Sequence, residues 1–505
     1  MKFKLSVIFI ALSLILLVIF MWLKYVVDED HIQPIVADML GTEYQVEMQS
    51  ARILPFQRGL SVGQLSIHST SDEHLHLEID TLSVLGIGVL AYIRNRISIS
   101  SLRLNNFTLI NRDDFPAANN DDSEDTRAIQ ELTIKNIDLT DGTILTANNQ
   151  QITNFNLKGG FNTVLTSDPH SRDTGITIDS VGFLFSEDRY RLAISGVTYD
   201  ENNGYFNVSA FKLNPVGGYD QFMNSLTYEA NMLDISSTGI TVTGIDPDAY
   251  RNESILRATK IDFESLHLSV SKNKQVPEDP EKVNPVLPNT NIAELPFAIQ
   301  IDSLHFRNTD IQYSQQDEDG ARPGTISFMN STIRISDVNS SSSEPARLEA
   351  AIYLQNHAEL NTVLNFTLNE GPFHMTGSGS LHSFDAPQLN SIFKDLEGLE
   401  IISGSLHELE FDFEMADDTS SGNMHLIYED LAIKSLDRED YSESAGNYIS
   451  SFLLNDLALR PDNMADSDDE VRKGNISHQR NPEDSFFRYL WLTLRSGIYE
   501  IILRV

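Results

Sequence analysis

The stretch RISISSLRLNNFTL, residues 96–109, holds a strand pattern that breaks its own period. Ile97 and Ile99 alternate with serines, as one face of a β-strand requires. Leu102 and Leu104 alternate as well, but one residue out of phase. Such a slip would move every later side chain to the other face of a flat strand. A β-bulge adds one residue and bends the strand, so the pattern predicts strands that bend at the slip and keep their apolar side chains on one side.

The unit apolar-x-apolar-x-x-apolar-x-apolar recurs along the chain at uneven spacing, which excludes a solenoid of fixed period. Many bent strands predict a mostly β protein with an elongated, curved, antiparallel β-sheet that forms an apolar groove. The copies that we expect to line this groove are Leu60, Val62, Leu65 and Ile67; Ile97, Ile99, Leu102 and Leu104; Ile261, Phe263, Leu266 and Leu268; and Ile299, Ile301, Leu304 and Phe306. Strands of a β-sandwich with a closed core alternate in the same way, so that alternative stays open.

Three copies share a serine before their third apolar position: Ser101, Ser265 and Ser303. An asparagine follows in the tail of some copies, as in Asn136 and Asn308. We expect the three serines to mark bends in equivalent strands.

The first residues have the pattern of a membrane anchor. Leu5–Leu23 carry no charge and, at ~1.5 Å per residue, would form a helix of roughly 28 Å, about one hydrocarbon core. Lys2, Lys4 and Lys24 flank this segment, and the next basic residue is Arg52. Because positive flanks stay in the cytoplasm, we expect a single-pass protein whose bulk lies outside it. A cleaved signal peptide is the alternative, although its apolar region is usually about 7–15 residues.

Charge and composition exclude several functions. The chain of 505 residues has 73 Asp and Glu against 36 Lys and Arg, a formal net charge of −37. A nucleic-acid binder needs a basic surface to contact phosphates, so we expect no nucleic-acid partner. The chain has no cysteine, which excludes disulfides, zinc–thiolate sites and cysteine nucleophiles.

Shifts in composition divide the chain into six segments. They are 1–24, a cytoplasmic tip and transmembrane anchor; 25–271, a first β-rich groove region; 272–296, a Pro-rich loop or linker; 297–460, a second β-rich region; 461–484, an acidic disordered linker; and 485–505, a C-terminal amphipathic helix. This last helix could dock on the protein's own sheet, lie at a membrane interface or plug one end of the groove.

The sequence contains no recognisable motif of a catalytic site. The sequence has no HExxH, no phosphate-binding glycine loop and no GxSxG, and Gly377-Ser378-Gly379 lacks the spacing of the last. His74 and His76 would share a strand face, and the run Asp466–Glu470 is acidic, but a solvated strand and a disordered loop are the favoured interpretations. We therefore expect no enzymatic activity, no metal and no cofactor.

Two regions resemble a known family. The segment MLGTEYQVEMQSARILPFQRGLSVGQLSI (39–67) follows the anchor, and residues 373–433 contain a Ser403-Gly404 turn and a stretch with Gly422, Tyr428, Asp430 and Leu431. With the repeated strands between them, they resemble the AsmA-like proteins of Gram-negative envelopes, which are related to the bridge-like lipid-transfer proteins. The resemblance implies an inner-membrane anchor and a periplasmic β-body that shields the acyl chains of phospholipid.

The chain is short for such a bridge, because roughly 25–30 strands at ~4.8 Å each reach about 120–140 Å. This departure from the family's length implies a partner protein in the envelope or a path that reaches only part of the way. The leading hypothesis is a protein that binds phospholipid, or another acyl lipid, and helps transfer phospholipid between envelope membranes. The alternative is a structural or assembly scaffold for outer-membrane components, whose interior its own side chains would fill.

Overall fold

The computed structural model describes residues 44–69, 75–88, 96–111, 131–146, 150–165, 172–201, 203–320, 322–436, 459–465 and 471–503. The expected anchor, Leu5–Leu23, lies outside these residues. Within them, no helix is both long and apolar enough to cross a membrane. The fold is mostly β and divides into two compact units, Met1–Val216 and Gly217–Val505.

The first unit contributes ten strands in its described residues. They are β1 (Tyr44–Leu54), β2 (Gly59–Ser69), β3 (Leu75–Leu85), β4 (Arg96–Ile99), β5 (Ser101–Asn111), β6 (Glu131–Leu145), β7 (Gln151–Leu165), β8 (Arg172–Phe185), β9 (Tyr190–Asp200) and β10 (Tyr205–Pro215).

The second unit contributes ten strands and five α-helices in its described residues. The strands are β11 (Met232–Thr243), β12 (Ile255–Asn273), β13 (Ala298–Gln316), β14 (Gly324–Asn339), β15 (Ala346–Leu354), β16 (Ala358–Phe366), β17 (His374–Asp385), β18 (Leu399–Ala416), β19 (Thr419–Ser435) and β20 (Lys473–Gln479). The helices are α1 (Gly218–Asn224), α2 (Pro247–Glu253), α3 (Pro288–Ala293), α4 (Asn390–Glu397) and α5 (Phe486–Ile502).

Strand pairing is mixed in both units. Most neighbours are antiparallel, but β4 and β5 both run parallel to β6, and β12 runs parallel to β13. The expectation of a purely antiparallel sheet is therefore wrong at these places. Parallel neighbours need a long crossover connection. Residues 112–130, outside the described residues, connect the first pair, and the Pro-rich residues 274–297 connect the second, inside the second unit.

Phase slips of neighbouring strands lie side by side. Gln64 of β2, Asp80 of β3 and Asn106 of β5 occupy one row, and the pairing on both sides of that row keeps the same register. Gln64 (φ 50°) and Asn106 (φ 49°) have left-handed backbone, beyond which the alternation restarts out of phase. The expected one-residue bulge is therefore wrong for these pairs. Because all three strands slip at one level, no residue is added and the apolar side chains share a face.

Register shifts of the expected kind occur elsewhere in both units. In the first unit they lie between β6 and β7 and between β7 and β8. In the second unit they lie between β13 and β14, between β14 and β15, and between β18 and β19. Register shifts of one residue thus occur in this fold, but they are separate from the row of shared slips in β2, β3 and β5.

The serines Ser101 and Ser265 lie at equivalent slips, each beside a parallel neighbour. Asn136 of β6 donates its Nδ2–H to the carbonyl of the residue before Ser101 (2.9 Å). Asn308 of β13 donates in the same way to the carbonyl before Ser265 (3.0 Å). In both pairs of parallel strands the backbone pairing is interrupted beside the serine and then continues in the same register. At the interruption, the side-chain amide of the asparagine provides the hydrogen bond that the backbone carbonyl would otherwise lack. Ser303 lies in a separate row of slips, beside a left-handed residue on β14.

Asn308→Ala should lower the free energy of unfolding by about 2 kcal/mol. The change removes a hydrogen bond worth ~1 kcal/mol and places alanine at φ 43°, which costs ~1 kcal/mol more. Asn308→Gly keeps the left-handed backbone accessible and should lose about half as much. Urea unfolding followed by Trp491 fluorescence measures both, with Asn361→Ala in β16 as the control. Wild-type stability of Asn308→Ala would contradict this account of the slip.

The C-terminal residues belong to the second unit. The expectation of disorder over 461–484 is wrong for Lys473–Gln479, which pair with β19 as β20 because Gly474 and Ile476 alternate toward the apolar face. The amphipathic helix is confirmed as α5, Phe486–Ile502. It docks on the chain's own sheet, the first of the three interpretations above.

Candidate functional site

An apolar face crosses the first unit. One row of directly paired residues runs through every described strand except β4: Ile53, Leu60, Val84, Leu102, Ile137, Gly159, Ile178, Val197 and Val208. Most of the residues predicted to line a groove here are buried together on this face, namely Leu60, Val62, Leu65, Ile67, Ile99 and Leu102. Leu104 packs against them while partly buried, and the side chain of Ile97 lies outside the described residues.

A series of five aromatic rings begins at Phe107 of the buried cluster and extends this face beyond it. Successive ring centroids from Phe107 through Phe155, Phe183 and Phe185 to Tyr190 are 5.7–6.1 Å apart. Phe107 is buried, whereas the other four rings are partly exposed. The first unit's apolar face therefore changes from buried to accessible toward β8 and β9.

A second apolar face crosses all ten described strands of the second unit. Its directly paired residues are Val242, Ile261, Leu304, Ile335, Leu348, Leu364, Gly377, Phe413, Gly422 and Ile476. From β11 to β16 the side chains of this row are partly exposed, and Phe413 and Ile476 at its other end are buried. The second unit thus has an accessible stretch and a covered stretch on one continuous face.

The residues predicted to line a groove in the second unit lie on its accessible stretch. Ile301 is buried, and Ile261, Ile299 and Leu304 pack against it while partly exposed. Phe263 of β12 and Phe306 of β13 stack with their ring centroids 4.6 Å apart and their planes at 11°. Leu266 and Leu268 are partly exposed farther along β12. The structure therefore brings together the two predicted groups of the second unit, the one on β12 and the one on β13.

Helix α5 covers the other stretch of this face. Its Tyr489 is fully buried and donates its hydroxyl proton to the Ala416 carbonyl (3.2 Å). Gly497 brings the helix so close to β20 that a Cβ there would lie 2.8 Å from Cγ1 of Ile476. Burial lowers the pKa of His478, whose ring lies 5.9 Å from that of Tyr489.

The Pro-rich crossover is held against the same stretch. Leu287 is 5% exposed and packs in one cluster with residues of α5. Asn289 donates to the Gly371 carbonyl (2.9 Å), and Arg480 donates to the Pro285 carbonyl (2.8 Å). The crossover and α5 together therefore define one end of the accessible apolar stretch.

The opposite face of the second unit is polar. It has a concave cavity of about 1010 Å³, lined by residues that include Arg334, Glu349, Glu410, His425 and Lys473. Charged side chains of these strands thus lie on this face, where apolar residues such as Val363, paired with Glu349, also line the cavity.

Gly377-Ser378-Gly379 proves to be a packing feature of β17. Gly377 lies opposite Phe413, and a Cβ on it would lie 2.3 Å from Cζ of that ring. Gly379 lies opposite Phe411 in the same way, at 2.5 Å. The two glycines therefore leave room for two aromatic rings of β18, a role that the Phe-x-Phe spacing of the next strand could have indicated.

The candidate metal ligands are only partly described. Among the described residues, no group of three or more His, Asp or Glu side chains could hold a metal ion. His76 pairs with Glu78 (Nε2–Oε1 3.0 Å), and its ring lies 6.2 Å from that of His68. His74 and the run Asp466–Glu470 lie outside the described residues.

Comparison with known proteins does not identify a family. Neither the family models nor the curated proteins give a match to this chain. Function is therefore inferred from the two apolar faces.

Proposed function

We propose that the accessible apolar stretch of the second unit binds the acyl chains of phospholipid. The observation that carries this proposal is the partly exposed face of β11–β16, where Phe263 and Phe306 stack beside rows of aliphatic side chains. Burying each methylene of an acyl chain contributes about 0.8 kcal/mol, so an apolar surface alone can hold a lipid without catalytic residues.

In this proposal the protein helps to transfer phospholipid between envelope membranes. Leu5–Leu23 anchor it in the inner membrane with the bulk of the chain in the periplasm, and a partner protein of the envelope completes the path. The acidic composition and the apolar rows that continue across successive slips are consistent with a soluble body that carries lipid on one face.

One observation favours the scaffold as a second candidate function. In the first unit, Ile67 and Ile99 are 0% exposed, as in a filled interior. A scaffold for outer-membrane components would need such a filled interior and no lipid. The two candidates therefore differ in what the second unit carries when the protein is purified.

Phe306→Glu should lower the phospholipid that co-purifies with the full chain by at least about tenfold, because it removes an aromatic contact and places a carboxylate against an acyl chain. The fold should persist, since Phe306 is partly exposed and the carboxylate can reach water. Mass spectrometry of extracted lipid per mole of protein measures the effect. Thr332→Glu is the matched control: its neighbour in β14 pairs with Phe306, and Thr332 itself is exposed.

Two outcomes would count against lipid binding on this face. If wild-type protein purifies without phospholipid, the scaffold is the better account. If Phe306→Glu and Thr332→Glu both fold and retain the wild-type amount of lipid, the lipid lies elsewhere.

A further inference from the structure

Phe56 lies in the turn between β1 and β2 with its whole side chain in solvent, at 104% exposure. This turn, Pro55–Gln57, is held from behind by two backbone hydrogen bonds. Gly86 donates to the Gln57 carbonyl and Ile87 donates to the Arg58 carbonyl, both at 2.9 Å. Ile87 is itself 1% exposed, so the turn rests on the buried cluster of the first unit. The fold therefore presents Phe56 outward on a fixed support.

The charge around this turn is opposite to that of the chain as a whole. Residues 48–71 and 81–111 contain arginine as their only charged residue type, in a chain of net charge −37. Arg52 and Arg58 flank Phe56 in sequence, and both side chains are exposed. Acidic side chains of β1 and β3, such as Glu47 and Glu78, lie toward the far ends of these strands.

We propose that the β1–β2 turn docks on the surface of an anionic phospholipid bilayer. Phe56 enters the boundary between head groups and acyl chains, and Arg52 and Arg58 contact head-group phosphates. An aromatic ring beside cations is what such an interface accommodates, because the ring leaves water while each cation stays at the charged surface. Acidic residues at the same end of the strands, such as Asp200 and Glu201 after β9, would be repelled by this surface, as would the acidic rest of the chain, so contact is restricted to the β1–β2 turn.

This docking does not depend on the lipid-binding function proposed for the second unit. It would bring one end of the first unit's strands to a membrane surface whether or not the second unit carries lipid. Membrane docking is measured with a label in the β1–β2 turn, whereas lipid binding is measured with a substitution at Phe306.

The absence of cysteine from the chain allows a local test. Gln57→Cys, labelled with an environment-sensitive fluorophore on the full chain, reports the surroundings of the turn while Phe56 stays in place. Vesicles of phosphatidylcholine with phosphatidylglycerol, carrying a nitroxide on their acyl chains, should quench this label and shift its emission to the blue. A label at Glu187→Cys, in the turn at the opposite end of the first unit, is the matched control and should stay in water. Because the signal is local, insertion of another segment cannot imitate it.

Two variants separate the parts of the contact. Phe56→Ser should reduce the apparent affinity of the labelled turn for these vesicles by at least about tenfold. Arg52→Gln with Arg58→Gln should reduce it by on the order of tenfold, and vesicles of phosphatidylcholine alone should bind as weakly as this variant does.

Three results would overturn the proposal: no quenching at position 57, equal quenching at positions 57 and 187, or equal quenching of the label at position 57 by neutral and anionic vesicles. Shielding of the label only after addition of another protein would assign the turn to a protein partner instead. None of these results affects the lipid measured for Phe306→Glu.

Discussion

Ile99→Glu should unfold the first unit. Ile99 is 0% exposed and lies among the buried apolar side chains of the cluster formed by β1–β6, where a new carboxylate would be removed from water. An unpaired charge in such a site costs several kcal/mol, a large part of the stability of an ordinary domain. Hydrogen exchange of the full chain should show lost protection across β1–β6, with β11–β20 as the internal reference. Arg103→Glu, at an exposed position of β5, should leave protection unchanged.

The opposite result would change the account of both units. If Ile99→Glu keeps its hydrogen-exchange protection, the carboxylate reaches water and the first unit has an open groove rather than a filled interior. The scaffold would then lose the observation that favours it. Phe306→Glu introduces the same glutamate into the second unit. We expect this variant to fold, because the side chain of Phe306 is partly exposed. The contrast between the two glutamates measures how differently the two faces are covered.

The repeated apolar unit was enough to predict the strands and the side chains that share their apolar face. The spacing of Leu60, Val62, Leu65 and Ile67 indicates a strand, and these side chains do share one buried face across their slip. The physical reason differs from the expected bulge. A single strand shows only its own slip, whereas the register with β3 shows that the neighbouring strand slips at the same level. Pairing between distant segments decides this, and no local pattern contains it.

Features that depend on distant contacts were the ones that sequence reasoning missed or left open. β20 lies in a segment whose acidic composition predicts disorder, and it is ordered because it pairs with β19 and carries α5. The α5 side chains also satisfy its outer edge: Asn475 N–H donates to Glu500 (2.9 Å) and Ser477 N–H donates to Ser496 (3.1 Å). An edge capped in this way cannot pair with another chain at these positions. The helix pattern predicts α5 itself but not what it covers.

Gly377→Val should destabilise the second unit by about 2–3 kcal/mol. A Cβ at this position would lie 2.3 Å from Cζ of Phe413, so the ring must leave its place. Overpacking of this kind typically costs ~1–3 kcal/mol, more than the higher strand propensity of valine returns. Phe413 belongs to the cluster that holds α5, which carries Trp491. Urea unfolding followed by the fluorescence of Trp491 therefore reports both the lost stability and any release of the helix.

A substitution at the neighbouring Ser378 tests whether the effect of Gly377→Val comes from contact with the ring of Phe413. Ser378→Val adds a similar side chain to the exposed face of the same strand, and its free energy of unfolding should stay within about 0.5 kcal/mol of wild type. Phe413→Ala alone should cost ~3–5 kcal/mol, because it leaves a cavity beneath α5. Combined with Gly377→Val it should cost less than the sum of the two, since the valine occupies space that the ring has left. Additive losses in the double variant would mean that the ring of Phe413 does not lie over Gly377, and the packing role assigned to the two glycines would then be wrong.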